Sequence, residues 1–257
     1  MNAVADARPC WVDLSTTDPA GAEAFYRDVL GWDVHRHETP VGVYLIGMVG
    51  DREVAGMMAQ APDAAGAPSA WTVYFWVDDL DDVVRRVAAA GGSVLAAPFE
   101  IPGGDRVSVV ADSTDAVFGL MSGTSQPDPI YSMAAGAVGW FELMTRDTAA
   151  AVRFYDELFG WQAETGDADG VEYSVFSVGD AQLGGMIATP DELGEDVPDS
   201  WSIYFTVADC SASVERVRDL GGQVLKATTP TPMGPFAVVA DPQGAVFQLM
   251  EFTEQSE

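Results

Sequence analysis

The sequence predicts an α+β protein of four βαβββ modules, paired into two tandem domains with cupped sheets. Three observations predict it: an internal repeat, one recurring order of strand and helix signals, and polar turns ahead of the closing strands. Trp11-Val12-Asp13-Leu14 matches Trp140-Phe141-Glu142-Leu143 at an offset of 129 positions, and Phe25-Tyr26 with Leu30-Gly31-Trp32 matches Phe154-Tyr155 with Phe159-Gly160-Trp161 at the same offset. The match continues through Trp71-Thr72-Val73-Tyr74-Phe75 and Trp201-Ser202-Ile203-Tyr204-Phe205, Gly91-Gly92 and Gly221-Gly222, then Val109-Val110-Ala111-Asp112 and Val238-Val239-Ala240-Asp241. Residues 1–122 form the first expected domain and 137–257 the second, with the Ser-, Gly- and Pro-rich stretch 123–136 as linker.

Within the first repeat the elements follow one another in short steps. A strand around Trp11 to Leu14 leads to a helix capped near Asp18, with Ala22, Phe25, Tyr26, Val29 and Leu30 at helical spacing and Gly31 ending it. Strands are expected over Trp32 to His37, Val43 to Val49 and Val54 to Ala59, before turn residues from Pro62 to Ser69. A second round starts with strand Trp71 to Val77 and a helix from Leu80 to Ala90, stopped by Gly91-Gly92. It closes with strands near Val94, Val107 to Val110 and Val117 to Met121. Asp241-Pro242-Gln243-Gly244 suits a type I hairpin turn, and Asp112-Ser113-Thr114-Asp115 is its polar counterpart.

Composition narrows the function classes. In 257 residues, 48% hydrophobic and 10% aromatic content supplies enough apolar area for packed cores. No stretch approaches the run of about 20 apolar residues that a spanning helix requires, and Met1 to Pro9 lacks the order of a signal peptide. A cytoplasmic protein is expected. With 40 acidic against 12 basic residues the formal charge is −28, which repels nucleic acid and anionic membranes. The acids are scattered, as a solubilising surface requires. Cys10 and Cys210 occupy non-equivalent places and form no metal-ligand spacing, and Lys226 is the only lysine.

The segments Ala24-Phe25-Tyr26-Arg27-Asp28-Val29-Leu30-Gly31-Trp32, Arg153-Phe154-Tyr155-Asp156-Glu157-Leu158-Phe159-Gly160-Trp161 and Asp241-Pro242-Gln243-Gly244-Ala245-Val246-Phe247-Gln248-Leu249 resemble the vicinal oxygen chelate superfamily. This superfamily includes glyoxalase I, bleomycin-resistance proteins and extradiol dioxygenases, and the resemblance spans nearly the whole chain. It implies glyoxalase-like cupped-sheet domains, and a metal ligand on the first strand of each module with a carboxylate on the last. The resembling positions are Asp13, Thr72 and Gly119 in the first half, with Gly56 or Met57 at the less certain place. In the second half they are Glu142, Ser202 and Gln248, with Gly185 or Met186. One carboxylate, a hydroxyl and a neutral amide do not make a tight divalent site. No protein-bound metal or other cofactor is therefore expected.

Strand alternation brings further residues to the cups. Trp11 and Asp13 share a face, as do Thr72, Tyr74 and Trp76; Trp140 and Glu142; Ser202, Tyr204 and Thr206; and Gln248 and Met250. Trp11, Thr72, Tyr74, Trp76, Trp140, Ser202, Tyr204, Gln248 and Met250 are the expected ligand-binding residues, and Asp13 and Glu142 the candidate catalytic carboxylates. His35 and His37 could share a face, but read as an exposed edge-strand pair, since the second half has Ala163 and Thr165 there. Pro102-Gly103-Gly104-Asp105 reads as a mobile hairpin near the cup and not as a phosphate loop.

The expected partner is thus a small organic molecule, aromatic or apolar, held by a monomer or homodimer. The resemblance implies a resistance, sequestration or secondary-metabolite role. The alternative is a metal-assisted or carboxylate-based lyase, isomerase or dioxygenase of the same superfamily.

Overall fold

The computed structural model describes residues 7–40, 42–61, 66–124, 126–168, 170–194 and 197–253. The start of the chain, part of the turn-rich stretch 62–69 and one linker position therefore lie outside the described residues.

The first half forms β1 (Arg8–Thr16), α1 (Pro19–Leu30), β2 (Asp33–Thr39), β3 (Gly42–Val49), β4 (Arg52–Ala59), β5 (Ala70–Trp76), α2 (Leu80–Val87), β6 (Ser93–Glu100), β7 (Arg106–Ala111) and β8 (Val117–Ser122). The second half repeats the order: β9 (Val138–Thr145), α3 (Thr148–Phe159), β10 (Gln162–Ala168), β11 (Val171–Val178), β12 (Ala181–Ala188), β13 (Ser200–Thr206), α4 (Cys210–Asp219), β14 (Gln223–Thr229), β15 (Phe236–Ala240) and β16 (Val246–Met250). Two eight-stranded sheets result, in the orders β2-β3-β4-β1-β5-β8-β7-β6 and β10-β11-β12-β9-β13-β16-β15-β14. The predicted α+β class and βαβββ modules are what the chain adopts.

Local chemistry sets the helix ends. Asp18 accepts from the Gly21 amide, Pro19 opens α1 without needing its missing N–H, and Gly31 closes it at φ 73°. Asp147 and Gly160 do the same for α3, with Gly160 at φ 70°. The predicted helix from Leu80 to Ala90 is shorter: α2 ends at Val87, and the chain turns through Ala88 to Ala90 into Gly91 at φ 96°. The Gly92 amide reaches back to the Val87 carbonyl at 2.9 Å, which closes the helix before the glycine pair.

Close contacts divide the chain into two compact units that interleave the halves: Met1–Cys10, Val73–Pro129 and Phe141–Trp201 make one, and Trp11–Thr72, Ile130–Trp140 and Ser202–Glu257 the other. In the second of these, α1 packs with α4, and Arg216 pairs with Asp28 at 2.6 Å. The stretch expected as linker contributes buried Ile130 and the Gly136 carbonyl, which accepts from the Trp32 indole at 2.7 Å. In the first unit α2 packs with α3, and Arg86 donates to the Glu157 carbonyl at 2.6 Å.

Each unit is built around one buried relay. The Tyr26 hydroxyl donates to Asp241 Oδ2 at 3.0 Å and accepts from the Trp71 indole at 3.0 Å. Asp241 Oδ1 meanwhile accepts from the amides of Gln243 and Ala245, both at 2.9 Å, so the carboxylate holds its own hairpin turn. In the other unit Tyr155 donates to Asp112 Oδ2 at 2.9 Å and accepts from Trp201 at 2.7 Å, while Asp112 Oδ1 holds Thr114 and Ala116. Rings crowd each relay: Tyr26 stacks on Trp32 at 5.4 Å, and Tyr155 on Trp161 at 5.2 Å. Burial raises the Asp112 and Asp241 carboxyls above the usual range, and raises both tyrosine hydroxyls well above theirs.

Removing either hydroxyl strands a buried carboxylate oxygen and an indole N–H together. Tyr26→Phe and Tyr155→Phe are each expected to lower unfolding stability by about 1–3 kcal/mol, read from denaturant midpoints. A loss below a few tenths of a kcal/mol would show that the relay carries no stability.

Candidate functional site

From Cys10 onward β1 alternates between buried and half-buried residues. Val12, Leu14 and Thr16 are fully buried on one face, while Trp11, Asp13 and Ser15 lie half-buried on the other. β9 repeats this, with Phe141, Leu143 and Thr145 buried and Trp140, Glu142 and Met144 half-buried.

In the unit containing Trp11–Thr72, β1 pairs in parallel with β4 so that Asp13 faces Gly56. The missing side chain at Gly56 leaves room that Tyr44 fills from β3: a Cβ built on Gly56 would overlap both the Tyr44 hydroxyl and the Asp13 carboxylate. Tyr44 donates to Asp13 Oδ1 at 2.5 Å, and the Trp11 indole reaches the same oxygen at 3.0 Å and the Tyr44 hydroxyl at 2.8 Å. Both donors converge on one carboxylate oxygen. Desolvation nevertheless dominates and pushes the Asp13 carboxyl from 3.8 up to about 6, with the bonds from Tyr44 and Trp11 pulling the other way. Asp13 thus exchanges its proton near neutral pH, where a carboxyl group can serve as acid or base.

The other unit carries a parallel arrangement. Glu142 faces Gly185 across β9 and β12, and the Tyr173 hydroxyl occupies the space a Cβ on Gly185 would take. An open groove of about 330 Å³ runs along this sheet, lined in part by Glu164, Tyr173, Val175, Ser177 and Gln182. Tyr44 and Tyr173 were not singled out by sequence reasoning. The signal was present, because they obey the same 129-position repeat as Gly56 and Gly185, on strands whose alternation was already legible.

The remaining expected site residues divide between the units. Tyr74 lies half-buried opposite Gly119, its ring covering the space a Cβ on that glycine would need, and Trp76 is buried at 3% exposure. Thr72 and Ser202 are half-buried, and Trp140 lies 6.1 Å from the Tyr131 ring. Tyr204 pairs with Gln248 and Thr206 with Met250, all four buried. The Gln248 Oε1 atom is buried and has no hydrogen-bond partner among the described residues. His35 and His37 are exposed on edge strand β2, where His35 lies 3.6 Å from Asp33. Register places His35 in line with Ile46, Gly56 and Asp13, so it shares Asp13's face about three strand spacings, roughly 14 Å, away. The glycines at 103 and 104 form a tight turn between β6 and β7, closed by the Ile101 amide on the Asp105 carbonyl at 2.8 Å. Cys10 and Cys210 are buried, and among the described residues neither takes part in a disulfide.

Among the described residues no three His, Cys, Asp or Glu side chains gather closely enough to ligate a metal ion. Gly56, Gly119 and Gly185 offer no side chain, and tyrosines cover them. Among the described residues no helix is long and apolar enough to cross a membrane.

Four βαβββ modules in two eight-stranded sheets, with a carboxylate opposite a glycine on the first strand of each half, define a vicinal oxygen chelate architecture. The chain belongs to the glyoxalase/bleomycin resistance protein/dioxygenase superfamily: that family's profile matches residues 8–118, and the profile described as glyoxalase-like domain matches 140–250. It is 35% identical over 248 residues to the "Putative glyoxylase CFP32" of Mycobacterium tuberculosis, covering 95% of this chain and 94% of that protein. It is 32% identical over 269 residues to the anthracycline biosynthesis protein DnrV of Streptomyces peucetius, covering 99% and 96% respectively. In fold it is similar to the Mn(II)-bound glyoxalase of Novosphingobium aromaticivorans, with a TM-score of 0.64 at 14% identity over 99% of this chain and 87% of that one.

The shifted Asp13 gives a pH test with a definite sign. Its folded value of about 6 lies above the ordinary 3.8, so the folded state holds the proton longer and loses stability as pH rises through that window. The displacement corresponds to at most about 3 kcal/mol. Asp13→Asn keeps an acceptor for Tyr44 and Trp11 without the buried charge. It is expected to melt several degrees above the parent at pH 8 and within about a degree of it at pH 4. Equal shifts at both pH values would contradict this assignment.

Proposed function

We propose that this protein binds a small organic molecule, aromatic or apolar, against the half-buried cluster of Trp11, Asp13 and Tyr44, without a complete protein metal site. The observation that carries the reading is the replacement of side-chain donors by glycine at 56, 119 and 185, with tyrosines in the space. Aromatic surface beside a few oriented polar groups suits a flat ligand whose hydrogen bonds set its orientation. Trp140, Ser202, Tyr204, Gln248 and Met250 serve the second half in the same way, as Thr72, Tyr74 and Trp76 serve the first. The relatives' names, a glyoxylase and an anthracycline biosynthesis protein, support a role in small-molecule or secondary-metabolite chemistry. We place the protein in the cytoplasm, as a monomer or homodimer.

The raised Asp13 carboxyl favours a second reading: a carboxylate-based lyase or isomerase in which Asp13, and Glu142 in the other half, move a proton to or from the bound molecule. On that reading the bond from Tyr44 keeps Asp13 oriented while its proton is transferred. Asp13→Asn separates the two readings, since binding tolerates the amide and proton transfer does not.

Metal content of the untagged protein by mass spectrometry, with thermal shifts in Ni, Zn, Mn and Fe, tests the proposal. Far less than one ion per chain and no saturable stabilisation are expected. Stoichiometric metal, or a large stabilisation abolished by Glu142→Ala, would overturn it and restore a chelate enzyme.

A further inference from the structure

The four strands of the final module carry a row of side chains that the first half does not share. Register runs from Tyr204 on β13 to Gln248 on β16, Val238 on β15 and Lys226 on β14, so the four point to one face of the sheet. Phe236, two positions before Val238, lies on that face too, its ring 6.1 Å from that of Tyr204. The equivalent row in the first half is Tyr74, Gly119, Val109 and Ala96, with Val107 in place of Phe236. The tyrosine and the central valine are the same in both rows. The amide, the ammonium and the phenylalanine ring occur only in the second.

Two of these groups are set for a partner that the protein itself does not supply. Lys226 is the single lysine of a chain with 40 acidic residues, yet its ammonium lies 4.7 Å over the Phe236 ring. Among the described residues it pairs with no carboxylate. A ring face holds a cation in place while leaving its N–H donors directed outward. Gln248 is 6% exposed, and its Oε1 is buried with no donor among the described residues. An unsatisfied buried amide oxygen costs free energy that a ligand N–H or O–H would recover. Lys226 and Gln248 stand two strand spacings apart, roughly 10 Å, about the length of two fused aromatic rings with a substituent.

We propose that this face of β13–β16 binds a flat aromatic anion that also carries an N–H or O–H donor: Lys226 meets the anionic oxygen, Phe236 and Tyr204 flank the rings, and Gln248 accepts from the donor. This names the ligand class for the proposed small-molecule function and rests on that reading. A formal charge of −28 disfavours anions at the surface in general, so selective anion binding demands a local cation, and Lys226 is the one this face provides.

Two fluorescent probes isolate the anionic group: 8-anilinonaphthalene-1-sulfonate, and N-phenyl-1-naphthylamine, which shares its rings and N–H but lacks the sulfonate. Titrated into the folded full-length protein, the sulfonate is expected to bind about tenfold or more tighter than the neutral amine. Lys226→Met should erase that advantage and Lys226→Arg should keep it. Gln248→Leu should weaken both probes while raising the melting temperature, because it removes the stranded oxygen. A sulfonate that binds no tighter than the amine, or an advantage that survives Lys226→Met, overturns the anion assignment and leaves the aromatic binding reading standing. Tighter binding of either probe in Gln248→Leu overturns the role given to the amide. Failure of both probes to bind overturns this proposal and the aromatic binding reading together.

Discussion

Everything in each compact unit depends on a tyrosine hydroxyl that serves two buried groups at once. Tyr26 and Tyr155 sit where a helix turns its apolar stripe inward, and each bridges an indole N–H to a turn carboxylate far away in sequence. Each aspartate meanwhile spends its other oxygen on the amides of its own turn, so both carboxylate oxygens and the indole N–H are paired within the relay. A network satisfied at every member is stiff and specific, whereas the same groups half-satisfied would be worse than an apolar core. The relay therefore selects which modules share a core: the first with the fourth, and the second with the third.

The candidate site follows from that frame. Once Val12 and Leu14 are committed to the core, strand alternation leaves Trp11 and Asp13 on the opposite face. Parallel pairing of β1 with β4 then decides what Asp13 meets, and it meets a glycine. Space at Gly56 admits Tyr44, whose bond orients the carboxylate, while the low polarity of the surroundings holds its proton to near-neutral pH. A bulkier residue at 56 would close this site without touching the fold's core. The two halves then diverge where function permits: the first covers Gly119 with a tyrosine ring, and the second places an amide at the equivalent Gln248.

Element order, the repeat and most strand limits were legible because they rest on local periodicity and turn chemistry. Asp18 and Gly31 announce their boundaries whatever surrounds them. The end of α2 was not, since glycines mark where a chain can turn and not where the last helical bond forms. Asp13 and Glu142 stood out as carboxylates on half-apolar strands. Tyr44 did not, because its role depends on reaching across β4 to a glycine, which is a matter of register between strands distant in sequence. Module pairing was hidden for the same reason. Tyr26 reads as an ordinary core residue and Asp241 as an ordinary turn aspartate, and only their meeting, 215 positions apart, makes them a lock.

The most direct measurement of this account is a double-mutant cycle on Tyr26→Phe and Asp241→Asn in the full-length chain, by denaturant unfolding. If the hydroxyl and the carboxylate act as one unit, the double variant should lose less stability than the two single losses combined, with a coupling of about 1–3 kcal/mol. Additive losses would contradict it, and would mean that the first and fourth modules are held together by general apolar packing alone.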